Sequence, residues 1–253
     1  MIYFEIKTTK KVLKMNGWKG AILRVNLSQG KIIKESLNEK LIYKFAGGTG
    51  INSKIFFDEV QPDVDPLGCD NKIIIGTGPC NGTLVPGSQR FTVTAKSPLT
   101  GIWGDSNSGG SLGAQLKYAG YDHVIIEGKS KEPVYLWIDD DIVEIRSAAH
   151  LWGKTTRETR RIIEREVGDP DISVMAIGPA GENLVKFANI ICDLGRALGR
   201  AGMGAVFGSK NLKAVAVRGT GGVKVADARK LEEVLRKTFN AWKTHISIWK
   251  VRA

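Results

Sequence analysis

Ala21-Ile-Leu-Arg-Val-Asn-Leu27 and Lys31-Ile-Ile-Lys-Glu-Ser36 each alternate in character, and Ser28-Gln-Gly30 between them supplies turn chemistry. A period of two turns one face of each run toward a core, so the pair predicts an antiparallel β-hairpin. Next along the chain, Ser36-Leu-Asn-Glu39 matches a capping box ahead of Leu41, Ile42 and Phe45. That spacing predicts a helix ending at Gly47-Gly48, and a second short helix over residues 51–60 stopped by Pro62. Strands are expected at 72–76 and 91–95, separated by a Gly- and Pro-rich loop over 76–89. A helix is expected at 111–119, a buried strand at 122–127, and a second hairpin over 133–139 and 142–146 around Asp140-Asp141. Residues 155–167 read as an amphipathic helix capped by Thr155 or Thr156, with Ile162, Ile163 and Val167 inward. Further strands are expected at 172–177, 184–191 and 213–218. About nine strands and four helices in this order give the α+β class with mixed sheets rather than a regular βαβ series.

The 253 residues are 42% apolar and 25% charged, the balance of a globular chain able to bury a full core. No run of about 18 apolar residues occurs, so no membrane partner is expected. Residues 1–14, with Lys7, Lys10, Lys11 and Lys14, lack the apolar segment and cleavage site of a secretory signal; they read as a disordered or added leader, with Met15 opening the folded unit. Cys69, Cys80 and Cys192 are odd in number and widely spaced, which suits a reduced, cytoplasmic protein. A formal net charge of +11 invites nucleic acid as a partner. The basic residues are scattered, however, and the densest groups, Arg157/Arg160/Arg161 and Lys230/Arg236/Lys237, are interleaved with Glu as on a solvated helix face, so no nucleic-acid partner is expected. From Ala226 onward a helix carries Leu231, Val234, Leu235, Phe239 and Trp242 on one stripe; residues 223–253 are expected to begin a second, helical domain.

Familiar enzyme signatures fail in turn. Gly128-Lys-Ser130 and Gly153-Lys-Thr155 imitate the end of a phosphate loop, but His123 and Ala148 stand where its first glycine is required. Gly202-Met-Gly204-Ala-Val-Phe-Gly208 has one residue too many for a dinucleotide fingerprint. His123, His150 and His245 are isolated from one another and from the cysteines, as strand, turn or helix residues would be. Three glycine-rich segments with an embedded Arg or Asn stand out instead: Pro86-Gly-Ser-Gln-Arg90, Asp105-Ser-Asn-Ser-Gly-Gly110 and Gly195-Arg-Ala-Leu-Gly-Arg-Ala-Gly-Met-Gly204. Glycine lets a backbone approach a bulky ligand, exposed N–H groups form anion-binding nests, and Arg grips phosphate bidentately. From composition, tight turns between strands and a site for a bulky phosphorylated cofactor both remain open.

A run of motifs then carries a resemblance. Gly17-Trp-Lys-Gly-Ala-Ile-Leu-Arg-Val-Asn-Leu27, Phe45-Ala-Gly-Gly-Thr-Gly50, Gly76-Thr-Gly-Pro79, Lys96-Ser-Pro-Leu-Thr-Gly101, Asn107-Ser-Gly-Gly110, Leu116-Lys-Tyr-Ala-Gly-Tyr-Asp122, Ile177-Gly-Pro-Ala-Gly-Glu-Asn-Leu184 and Gly204-Ala-Val-Phe-Gly-Ser-Lys-Asn-Leu-Lys213 follow in an order that resembles the tungsten-dependent aldehyde:ferredoxin oxidoreductases. The resemblance covers about residues 16–218. It implies that residues 15–222 form the family's N-terminal tungstopterin-binding domain, two mixed sheets making a base beneath a bis-molybdopterin tungsten cofactor. It also implies that Arg90, Asn107, Ser108, Gly109, Gly110, Arg196, Ala197, Gly199 and Arg200 bind the cofactor. A magnesium ion between the pterin phosphates would be held partly by the backbone carbonyls of Asn107 and Ala197. No residue of this stretch is nominated as catalytic. The [4Fe–4S] ligands of the family fall beyond the matched region, so the implied partners are C-terminal domains or a separate subunit carrying the cluster, with ferredoxin and an aldehyde as reactants and a homodimer as an allowed assembly. The alternative expectation is a non-catalytic remnant or partner-binding subunit with the same fold.

Overall fold

The computed structural model describes residues 7–8, 15–193 and 195–250, with side chains described for 15–193 and 195–243. In chain order the strands are β1 Lys7–Thr8, β2 Ala21–Asn26, β3 Lys31–Ser36, β4 Ile73–Gly76, β5 Phe91–Lys96, β6 Trp103–Ser108, β7 His123–Glu127, β8 Val134–Asp139, β9 Ile142–Ser147, β10 Ser173–Ala176, β11 Ile190–Cys192, β12 Arg196–Leu198 and β13 Leu212–Arg218. The α-helices are α1 Glu39–Phe45, α2 Gly48–Glu59, α3 Leu112–Tyr118, α4 Thr156–Val167, α5 Pro179–Glu182, α6 Met203–Ser209 and α7 Ala228–Lys250. Of the expected leader, Lys7–Thr8 pair in parallel with β3; residues 1–6 and 9–14 lie outside the described residues.

One sheet has the order β1-β3-β2-β7-β4-β5-β6 and the other β12-β11-β10-β13-β8-β9. Both are mixed: β2 runs parallel to β7 and β13 parallel to β8, while β4, β5 and β6 pair antiparallel, as do β10, β11 and β12. The α+β class with two mixed sheets is therefore as expected. Strand alternation divides the apolar side chains between layers. Leu23, Val25, Ile73, Ile75, Val124 and Ile126 of the first sheet meet Leu136, Met175, Val215 and Val217 of the second, with Leu112 and Leu116 of α3 and Phe207 of α6 completing the central core. The opposite face of the first sheet, through Ile22, Ile74 and Ile125, packs on Ile42, Ile51 and Ile55 of α1 and α2. The outer face of the second, through Val174, Ala176, Ala214 and Ala216, packs on Ile163 of α4.

Several local expectations need correction. The cap of α1 is Asn38, whose side chain accepts from Lys40 N at 2.9 Å, rather than Ser36. The turn-rich stretch after Lys96 contains β6, so Asn107 and Ser108 lie in a strand and, of Asn107-Ser-Gly-Gly110, only Gly109-Gly110 fall outside it. The strand expected at 184–191 is three residues, Ile190–Cys192, preceded by α5 and turns. Residues 196–198 form β12, and the glycine-rich 203–209 segment is a helix. Strand and helix counts among the described residues thus exceed the expected nine and four, because short elements inside glycine-rich segments carry too few periods to register.

Candidate functional site

The last strands of the two sheets, β6 and β12, come into contact without joining a common ladder. A terminal strand leaves backbone N–H and C=O groups on its outer edge without ladder partners, so this seam is lined by main-chain polar groups. All three glycine-rich segments converge on it. Arg90 directly precedes β5, where Phe91 opposes Ser108 and Thr92 opposes Asn107. The exposed Arg90 guanidinium consequently reaches across the strand pair and donates from Nη2 to Asn107 Oδ1 at 2.7 Å. The third segment is tied to the second directly at one point and through flanking residues at another. Arg200 N donates to Ser106 Oγ at 3.1 Å, and Asp193 accepts from Ser111 N at 2.8 Å while also taking the Ser173 hydroxyl at 2.6 Å. Gly104 of β6 packs closely against the residues after β12: an added Cβ would stand 2.7 Å from Ala201 Cβ.

Arg90 and Asn107 also face a hollow of about 340 Å³ bounded by Gly47, Gly48 and Thr49 at the start of α2, by Gly76 and Gly78, and by Gly87 and Ser88. No side chain caps α2, so the partial positive charge of its first turn is open to this hollow. Arg196, Ala197, Gly199 and Arg200 are exposed, and among the described residues the Arg196 and Arg200 side chains have no hydrogen-bond or ion-pair partner. Ser108 is buried and Gly110 is held against Asp193. A Cβ built on Gly109 or Gly195 would meet nothing within 4 Å, so internal packing does not demand glycine at either position. That open space leaves the backbone at Gly109 and Gly195 free for a large guest to approach.

Residues outside the expected binding set contribute as well. Asp105 is held by the hydroxyls of Thr49, Thr92 and Thr94, and Asp193 adopts a left-handed backbone conformation, φ 49°, to reach both Ser111 and Ser173. The signal for Asp105 was the alternation Trp103/Asp105/Asn107 along one face, obscured by the surrounding glycines and serines. Elsewhere, no group of three or more His, Cys, Asp or Glu suited to a metal occurs among the described residues. Burial pushes the Cys192 thiol up, as befits a packed side chain. His123 is a fully buried strand residue, as expected. Arg160, half-buried, pairs with Glu164, while Arg157 and Arg161 line a second hollow of about 580 Å³ beside α4.

An α+β domain with two mixed sheets, glycine-rich edges and arginines along one seam is the class of protein that this geometry defines. A family model described as the N-terminal domain of aldehyde ferredoxin oxidoreductase matches residues 22–219. The chain belongs to that family and corresponds to its N-terminal domain. It is 50% identical over 226 residues to the tungsten-containing aldehyde ferredoxin oxidoreductase of Pyrococcus furiosus, an alignment covering 89% of this chain and 37% of the relative. It is 39% identical to the WOR-like subunit of an aliphatic sulfonate oxidoreductase from the same organism, over 91% of this chain and 40% of that one. Among solved structures it is similar to the active-site complex BamBC of benzoyl coenzyme A reductase, with a TM-score of 0.88 and 40% identity over 90% of this chain and 35% of that chain. The chain thus spans well under half the length of these relatives.

Proposed function

We propose that this chain is the tungstopterin-binding portion of an aldehyde:ferredoxin oxidoreductase, and that the seam between β6 and β12 is its cofactor cradle. The observation that carries the reading is the convergence of Arg90, Asn107, Arg196 and Arg200, from three separate segments, on one glycine-lined edge. Arg90, Arg196 and Arg200 pair with the pterin phosphates, since a guanidinium stays charged at every working pH and binds phosphate through two parallel N–H groups. The open backbone of Gly109 and Gly199, flanked by Ser108 and Gly110, would admit the pterin face, and the backbone carbonyls of Asn107 and Ala197 would offer oxygen ligands to a magnesium ion. When bound, the tungsten and pterin supply the chemistry: aldehyde and water become carboxylate, and the two electrons leave through a [4Fe–4S] cluster to ferredoxin. The cluster ligands are expected in C-terminal domains or a separate subunit, so activity requires them. A cytoplasmic location fits the free thiols, and no described helix is long and apolar enough to cross a membrane.

The test is tungsten content, by mass spectrometry, of this chain co-produced with the cluster-bearing polypeptide. Arg90→Ala combined with Arg196→Ala is expected to remove most of the metal; unchanged tungsten overturns the assigned roles. The exposed apolar stripe of α7 favours a second reading, a non-catalytic partner-binding subunit. Under that reading the unaltered complex is metal-free.

A further inference from the structure

We propose that Asp105 is a positioning residue that fixes the Arg90 guanidinium through the Asn107 amide; this rests on the cradle reading above and deepens it. The connections form one chain from the core to the rim. His123 Nδ1 meets Asn52 Oδ1 at 2.9 Å, and Asn52 Nδ2 donates to Thr94 Oγ1 at 3.2 Å. Thr94 Oγ1 therefore spends its lone pair inward and its proton outward, on Asp105 Oδ1 at 3.1 Å. Thr92 donates to the same oxygen, and Thr49 of α2 approaches Oδ2 at 3.3 Å. His123, Asn52 and Thr94 are fully buried, so this end of the chain is anchored in the packed interior.

At the other end, Asn107 Nδ2 faces Asp105 Oδ2 at 3.4 Å and Asn107 Oδ1 accepts from Arg90. Only one orientation of the amide satisfies both neighbours. A flipped amide sets its NH₂ against the guanidinium and its oxygen against the carboxylate, donor on donor and acceptor on acceptor. The Asp105 charge thereby dictates that an oxygen faces Arg90, and one Nη2 proton is held while the remaining N–H groups are free for a phosphate. Holding the fork in place before the anion arrives removes part of the ordering cost of binding.

The experiment uses the full chain, with inorganic pyrophosphate as the probe and two readouts: calorimetric affinity and the Arg90 guanidinium signals in nitrogen-resolved NMR. In the unaltered chain those signals are expected to be resolved by hindered rotation. Asp105→Asn reverses the polarity that Asn107 sees; the signals collapse and pyrophosphate affinity drops about tenfold, the scale of one charge-assisted hydrogen bond. Adding Asn107→Asp to Asp105→Asn restores an acceptor beneath Arg90 and returns the resolved signals, which a merely structural role of Asp105 does not predict. Should Asp105→Asn fail to fold, Asn107→Ala, at an exposed strand position, reads the same link. Resolved signals and unchanged affinity in a folded Asp105→Asn, or resolved signals in Asn107→Ala, overturn the proposal. No pyrophosphate binding by the unaltered chain counts against the phosphate role of the cradle, while the Arg90 signals still decide the positioning role.

Discussion

His123 illustrates how neighbours set the chemistry of a residue whose sequence context is bland. With Asn52 Oδ1 as its partner, Nδ1 carries the proton, and Nε2 is buried with no hydrogen-bond partner. Burial pushes its pKa from 6.5 down to about 4, with Lys117 opposing protonation and Asp122 favouring it. Between these two values the unfolded chain binds a proton that the folded chain refuses, so stability falls as pH drops from 6.5 toward 4, by up to about 3 kcal/mol. Replacement by Gln is expected to flatten that part of the stability-against-pH curve, measured by urea unfolding at pH 7, 5.5 and 4.5; an unchanged slope refutes it. Glu59, which burial would raise, is instead held down to about 2 by hydrogen bonds from Arg24 and Lys72, and so acts in a lower window. The residues proposed for the cradle came from the family resemblance, because glycine beside arginine suits tight turns between strands as well as it suits a cofactor site. The buried Lys117, Lys210 and Lys213 were not legible: their partners are Asp122 with Gly17 O, the carbonyls of Cys69 and Gly128, and Glu182 with Lys154 O, which only the fold assembles.

Among the elements, those with a full period and a punctuating cap were readable from the chain. In α4, Thr155 caps the first turn and Glu158 closes the reciprocal box. Thr155→Ala is expected to cost about 1 kcal/mol, read from the shift of the unfolding midpoint at unchanged slope. The β2/β3 and β8/β9 hairpins and the buried β7 were equally plain, since alternation or a short β-branched run survives in each. Helix α6 was hidden for a physical reason: all of Met203–Ser209 is buried, so no polar face exists to set a period. Its glycines mark close packing, with a Cβ at Gly208 falling 1.9 Å from Gly181 O and one at Gly204 falling 2.6 Å from Asn189 O. Strand β6 was hidden because its inward positions are Gly104, Ser106 and Ser108, which carry none of the apolar marks of a core-facing strand.

For the molecule as a whole, α7 stands apart from the layered body. Through residue 243, Leu235 is its one buried side chain, while Val234, Phe239 and Trp242 are exposed. Ending the chain at Asp227 is therefore expected to move the melting temperature by no more than about 4 °C, the equivalent of about 1 kcal/mol. A larger loss in calorimetry would mean that α7 belongs to the core of this domain. The contact between β6 and β12 has a different character, because a glycine in β6 lets the chain just beyond β12 approach closely. Gly104 works as a shim of zero thickness: a Cβ there would stand 2.7 Å from Ala201 Cβ and 3.0 Å from Met203 Cε and Ser97 Cβ, so a larger residue must displace the segment that follows β12. The fit between the two sheet edges is thus written at a position outside the residues proposed to bind a cofactor.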